Sequence, residues 1–172
     1  MRCLAACLFV IVLYGCTTTE KQPVLMYDVL KKGDRLTIAK PIKIEPTNGT
    51  IYFQAGKVHS WWGADVWRTL CRLHVGDSVS SATLVGSVYE VISVRRTFEP
   101  QGDAVEMPAI SLTLRTISGS TAETLSCERW VDLSHFNTLS EITLEDFEDA
   151  VNGYFEITDG ASVPDTRESE QK

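Results

Sequence analysis

Two-residue alternation of apolar and polar side chains runs through the middle of this chain and limits its fold more than any other feature. Ile110, Leu112 and Leu114 alternate with Ser111, Thr113 and Arg115, the pattern of a strand with one face buried and the other in water. Between Thr69 and Val75, the residues Cys71, Leu73 and Val75 share one face, with Arg72 and His74 on the other. Val85 to Phe98 reads as one long strand or two strands around a bulge. Thr124 to Val131 reads as another strand, with Leu125, Cys127 and Arg129 pointing one way. Shorter strand signals lie at Arg35 to Ala39, Ile42 to Ile44 and Ile51 to Gln54, and Val24 to Leu30 is an apolar patch suited to a short helix or edge strand. Asn48-Gly49 predicts a two-residue hairpin turn, because both residues tolerate positive φ. Glu99 to Pro108 reads as a connecting loop.

The period changes near the C-terminus. Leu144, Phe147, Ala150 and Val151 have helical spacing behind Thr143, and Asp146 stands three residues after Thr143 in a capping-box arrangement. Gly153 can close that helix in a left-handed conformation. Together these signals predict a mainly β, α+β domain: an antiparallel sheet or partly closed barrel with one C-terminal helix packed on it. At 172 residues one domain is expected. With 23% charged residues, neither a polytopic membrane protein nor a wholly disordered chain fits. The formal charge of −7 argues against nucleic acid as the main partner.

The first residues carry an address. Arg2 precedes an unbroken apolar run from Leu4 to Leu13, too short to span a bilayer as a helix and suited to a secretory signal peptide. Leu13-Tyr14-Gly15-Cys16 resembles a bacterial lipobox, which implies cleavage before Cys16 and acylation of that cysteine. Within that class, Thr17 implies outer-membrane sorting, with the protein on the inner leaflet facing the periplasm. The expected organisation is a signal peptide at 1–15, a lipidated tether at 16–34, a β-rich domain at 35–157 and a disordered tail at 158–172. Removing 1–15 takes only Arg2 from the charge balance, so attachment rests on lipid rather than on a basic patch. Cys3 and Cys7 leave with the signal and Cys16 takes lipid, so Cys71 and Cys127 remain. Export implies an oxidising compartment, in which such a pair reads as a disulfide. Two buried free thiols, or a reactive thiol pair, are the alternatives.

Ile51-Tyr52-Phe53-Gln54-x-Gly56, Cys71-x-Leu73, Cys127-x-x-Trp130 and a helix ending at Gly153-Tyr154-Phe155 together resemble a group of uncharacterised exported proteins and lipoproteins of proteobacteria. The resemblance implies compartment, disulfide and a compact β-rich fold. It carries no activity and no catalytic residue.

Three constellations bear on function. Gly76-Asp77-Ser78 with Asp132-x-x-His135 resembles the first and last blocks of GDSL-type esterases, with Ser78 as nucleophile and His135 as base. The Gly-x-Asn-Asp block that would complete such an oxyanion site is absent. His59, His74 and His135 with Asp65 and Asp77 lack the spacing of a metal site, so neither a metal nor another cofactor is expected. Trp61, Trp62 and Trp67 cluster in one loop. They suit caps over the end of a sheet, an anchor for a protein partner, or a platform for the sugar rings of peptidoglycan. Adjacent indoles on an extended segment point apart, so at least one of Trp61 and Trp62 should stay exposed. Arg95-Arg96 is too short for a nucleic-acid stripe and reads as solvating a strand edge. The reading that follows is a non-catalytic, lipid-anchored envelope protein that binds or supports another envelope component. The alternative is an envelope hydrolase using Ser78 and His135.

Overall fold

The computed structural model describes residues 22–44, 49–75, 82–117, 122–134 and 140–160. Its elements are α1 (Met26–Val29), β1 (Arg35–Ile38), β2 (Ile42–Ile44), β3 (Thr50–Gln54), β4 (Lys57–His59), a 3-10 turn (Trp61–Gly63), β5 (Leu70–His74), β6 (Ala82–Leu84), β7 (Val88–Pro100), β8 (Val105–Thr116), β9 (Ala122–Glu128), β10 (Val131–Asp132), α2 (Leu144–Val151) and β11 (Phe155–Thr158). The main sheet runs β11-β1-β7-β8-β9-β5-β3-β4, with β10 paired to β8, and β2 pairs with β6 apart from it. Each of these pairings is antiparallel. The sheet curls into a half-barrel with the C-terminal helix α2 against it.

Alternation explains the two faces. Leu36, Tyr89, Val91, Leu112, Leu114, Leu125 and Leu73 are buried on the inner face. Register explains the outer one. Tyr52 lies opposite Arg72, Arg72 opposite Ser126, Ser126 opposite Ser111, and Ser111 opposite Arg95. Directly opposed residues share a face, so these five form one polar row across four pairings.

The curl brings distant strands together. β3 and β11 stand far apart in the sheet order, yet Phe53 lies 5.4 Å from Phe155 and 5.2 Å from Tyr154 between ring centroids. The helix α2 fills what remains of the opening, burying Phe147, Ala150 and Val151. The Gly56 amide donates to the Ala150 carbonyl at 3.0 Å. A Cβ on Gly56 would stand 2.5 Å from Asn152 Cβ, so this turn accepts only glycine against the helix end.

The capping box is present: the Asp146 amide donates to Thr143 Oγ1 at 3.0 Å, and the Thr143 amide donates to Asp146 Oδ2 at 2.9 Å. The left-handed C-cap is Asn152, with Gly153 following at φ 73°. A long hairpin, β7 and β8, absorbs most of the span read as a loop between Glu99 and Pro108. Glu99 pairs with Met107 and Pro100 with Glu106. Of the two readings of Val85 to Phe98, one long strand holds from Val88, and it carries a bulge between Val91 and Ser93.

Two other expectations change. The strands flanking Asn48-Gly49 do not form a hairpin with each other, since β2 pairs with β6, and β3 with β4 and β5. The two-residue turn is instead Ala55-Gly56, with φ of 49° and 69°. The pairing surface of β3 is taken by its other neighbours, which overrides the better local turn signal. The domain boundary at 35 also moves. Met26 and Leu30 are buried in the core, and the Met26 amide donates to the Ile142 carbonyl at 3.1 Å. The folded unit therefore includes α1, and at its other end β11 reaches Thr158. The expected signal peptide, Cys16 and the residues beyond 160 lie outside the described residues. No helix among the described residues is long and apolar enough to cross a membrane.

One buried acid faces the core. Glu123 lies opposite Leu114 on the inner face and is nearly inaccessible. Burial pushes its carboxyl above the ordinary range, against the opposing pull of the Tyr89 hydroxyl and the His74 charge. Burial and the Glu123 charge likewise push Tyr89 up. The unfolded chain releases the Glu123 proton near the ordinary value, while the folded chain holds it to higher pH. This group's contribution is therefore fully present at low pH and is lost as pH rises through the folded value. Glu123→Gln keeps the neutral form at every pH. Its urea midpoint should match wild type near pH 4 and exceed it increasingly toward pH 7 (a gap independent of pH would contradict this).

Candidate binding site: a tryptophan-lined groove

The segment between β4 and β5 carries Trp61, Trp62 and Trp67. It is held from beneath by Gln54, a buried amide at the end of β3. Gln54 Nε2 donates to the carbonyls of Asp65 and Arg68, at 2.7 and 3.2 Å, and its Oε1 accepts from the Asp65 amide at 2.9 Å. The Asp65 carboxylate in turn accepts from the Trp67 amide at 3.0 Å, and the Arg68 guanidinium reaches Asp149 of α2 at 3.4 Å. A side chain that satisfies three backbone groups of one loop fixes its path, because each lost bond would leave a poorly hydrated polar group.

The indoles on this fixed loop face outward. Trp61 is 46% exposed, Trp67 52% and Trp62 93%. The expectation that at least one of Trp61 and Trp62 is exposed thus understates the arrangement, since the 3-10 turn at Trp61–Gly63 leaves both accessible. Trp61 leans on Tyr52 at 5.7 Å between centroids, and Trp67 meets Trp130 edge-on at 5.7 Å. All four tryptophans of the chain gather at this corner.

Trp61 and Trp130 line a groove of about 240 Å³, with Val66, Leu70 and Met107 as its other apolar lining and Gln101, Glu128 and Arg129 as polar lining. Met107 and Glu128 also line an adjoining trough of about 650 Å³ on the outer face of the sheet. That trough is polar. Arg72, Ser93, Arg95, Ser111 and Thr113 line it, with Glu99 at the hairpin end. Arg72 is spoken for: Nε donates to Ser126 Oγ at 2.8 Å, and Nη2 pairs with Glu128 at 3.2 Å. Ser93 Oγ donates to Thr113 Oγ1 at 3.0 Å. Among the described residues Arg95 makes no hydrogen bond or ion pair.

Of the other site candidates, Cys71 and Cys127 are joined by a disulfide between directly opposed positions of β5 and β9, with Cα atoms 4.0 Å apart. His59 lies on β4 and His74 on β5, where His74 Nδ1 is 3.0 Å from Thr50 Oγ1. Asp77, Ser78 and His135 lie outside the described residues. Arg95 and Arg96 divide between the two faces. Arg95 enters the trough, while Arg96 covers the Tyr27 ring and reaches Glu141 at 3.4 Å.

Sequence reasoning left out Trp130, Met107 and Glu128 as site residues. A signal for Trp130 existed. Cys71 opposes Cys127, so extending that antiparallel register sets Trp130 opposite Arg68, beside Trp67. The observed Trp130 amide donates to the Val66 carbonyl at 2.7 Å. Met107 has no such signal, because the turn residues around it have the chemistry of a loop. Compared with protein-family models, curated proteins and solved structures, the chain is matched by none.

Proposed function

We propose that this chain is a non-catalytic, lipid-anchored protein of the bacterial cell envelope that binds another envelope component at the tryptophan corner. The observation that carries the binding reading is the preset loop. Three indoles stand exposed on a segment pinned by a buried amide, so little conformational freedom is lost when a partner covers them. Large exposed aromatics are the residues that dominate binding energy at interfaces. The envelope reading is supported by the lipobox-like sequence ending at Cys16, and the disulfide accords with an oxidising compartment. The protein would then sit on the inner leaflet of the outer membrane, facing the periplasm.

The test is capture of crosslinked envelope material by the full-length protein, with both proteins and amino sugars quantified. Trp62 touches little of its own chain, so Trp62→Ala should leave the melting temperature unchanged. Trp61→Ala and Trp62→Ala should each cut recovery about tenfold or more, the scale of a truncated interface anchor. Undiminished recovery by both variants would overturn the reading.

A further inference from the structure

We infer that the groove and the trough form one extended site for an acidic glycan, namely a peptidoglycan fragment in which a sugar ring carries a peptide with free carboxylates. This rests on the binding reading above and names the component bound. The two recesses adjoin at Met107 and Glu128, which line both, so a ligand that passes these two side chains can reach from one into the other. Their chemistries differ in the way such a ligand requires. The groove offers indole and thioether surface from Trp61, Trp130 and Met107, suited to the C–H face of a pyranose ring. Gln101 and Glu128 at its side offer an amide and a carboxylate to the ring's hydroxyl and acetamido groups.

The trough begins where Glu99 and Met107 oppose each other and reaches the Arg95–Ser111 pair four residues along the hairpin. That distance is about 13 Å at the usual rise of a strand, enough for a sugar in the groove to extend a short peptide along the floor. Charge is graded along this path. Glu99 and Glu128 stand at the groove end, where hydroxyl and amide donors would lie, and Arg129, which also lines the groove, is bound to Asp146 and the Glu141 carbonyl. Arg95 stands farther in, among Ser93, Ser111 and Thr113, with Arg72 already paired to Glu128. A guanidinium with five donors and no partner among the described residues matches a carboxylate in geometry as well as sign. A flat apolar protein patch would leave this hydroxyl-lined hollow unfilled.

The full-length protein in detergent should co-sediment saturably with purified sacculi. Its tryptophan fluorescence should change on titration with a muramidase-released disaccharide–tetrapeptide. Trp61→Ala should weaken that binding about tenfold. Arg95→Gln, a surface change, should weaken it about fivefold while leaving weak binding of neutral chitotetraose unaltered. Equal affinity for muropeptide and chitotetraose with no effect of Arg95→Gln would overturn the proposal, as would absence of binding to both sacculi and muropeptide. If isolated glycan fails to bind while recovery of crosslinked envelope material still depends on Trp62, this inference falls and the broader binding reading stands. If no variant alters either assay, both fall.

Discussion

Breaking the Cys71–Cys127 bond should lower the unfolding free energy by about 4 kcal/mol in the chain-entropy account, because the bond closes a long loop in the unfolded chain. The sequence separation is 56 residues. The two cysteines are fully buried between β5 and β9, in a ladder with four other opposed pairs. The four other pairs should hold that register without the bond, so the expected result is a weakened fold rather than a different one. Urea unfolding of wild type with and without reductant measures the effect. The double variant Cys71→Ala, Cys127→Ala should unfold near the reduced wild type and be insensitive to reductant. A shift under 1 kcal/mol on reduction would show that the unfolded chain is not loosened by losing the link. Since a domain of this size is stable by only about 5–15 kcal/mol, the expected loss is a large share of the total.

Phe53→Ala should cost about 3–5 kcal/mol, the range for emptying a fully buried phenylalanine site. Phe53 has no accessible surface, and its ring contacts Tyr154 and Phe155 across the mouth of the half-barrel. The substitution therefore tests the curl as well as the core. In a sheet left open, β3 and β11 would not meet, and Phe53→Ala and Phe155→Ala would act independently. In the curled sheet the two share a cavity and an edge-on ring contact, so a double-mutant cycle should return a coupling of about 1 kcal/mol. Zero coupling would place the two rings apart.

The legible part of the fold was the part governed by local period. Ile110, Leu112 and Leu114 announced their strand because alternate side chains must go to opposite faces, whatever the sheet's shape. Thr143 and Asp146 announced the start of α2 because a capping box is made entirely within one turn. The run of strand formers announced β7, but only the structure places a bulge between Val91 and Ser93. What failed depended on partners. Asn48-Gly49 has better turn chemistry than Ala55-Gly56, yet the hairpin forms at the latter because β3 pairs with β4 and β5. Glu99 to Pro108 carries turn residues, yet cross-strand pairing extends the hairpin until only 101–104 remain outside the strands. Met26 and Leu30 give no local sign of belonging to the core, because their contacts, near Ile142 and α2, are distant in sequence.

By itself the sequence determined a β-rich domain with one C-terminal helix, the two cysteines that pair, and the loop holding three tryptophans. These follow from period, cysteine count and residue identity, which are properties of neighbours along the chain. Only the tertiary structure decided that the indoles face outward on a loop pinned by Gln54, that Trp130 joins them, and that a polar trough leads away past Arg95. Alternation states which side chains share a face, but the curl of the sheet and the path of the β7–β8 hairpin decide whether that face is flat or hollow. Those arise from long-range packing, as when Phe53 meets Phe155, and no local pattern encodes which distant ring will fill the space.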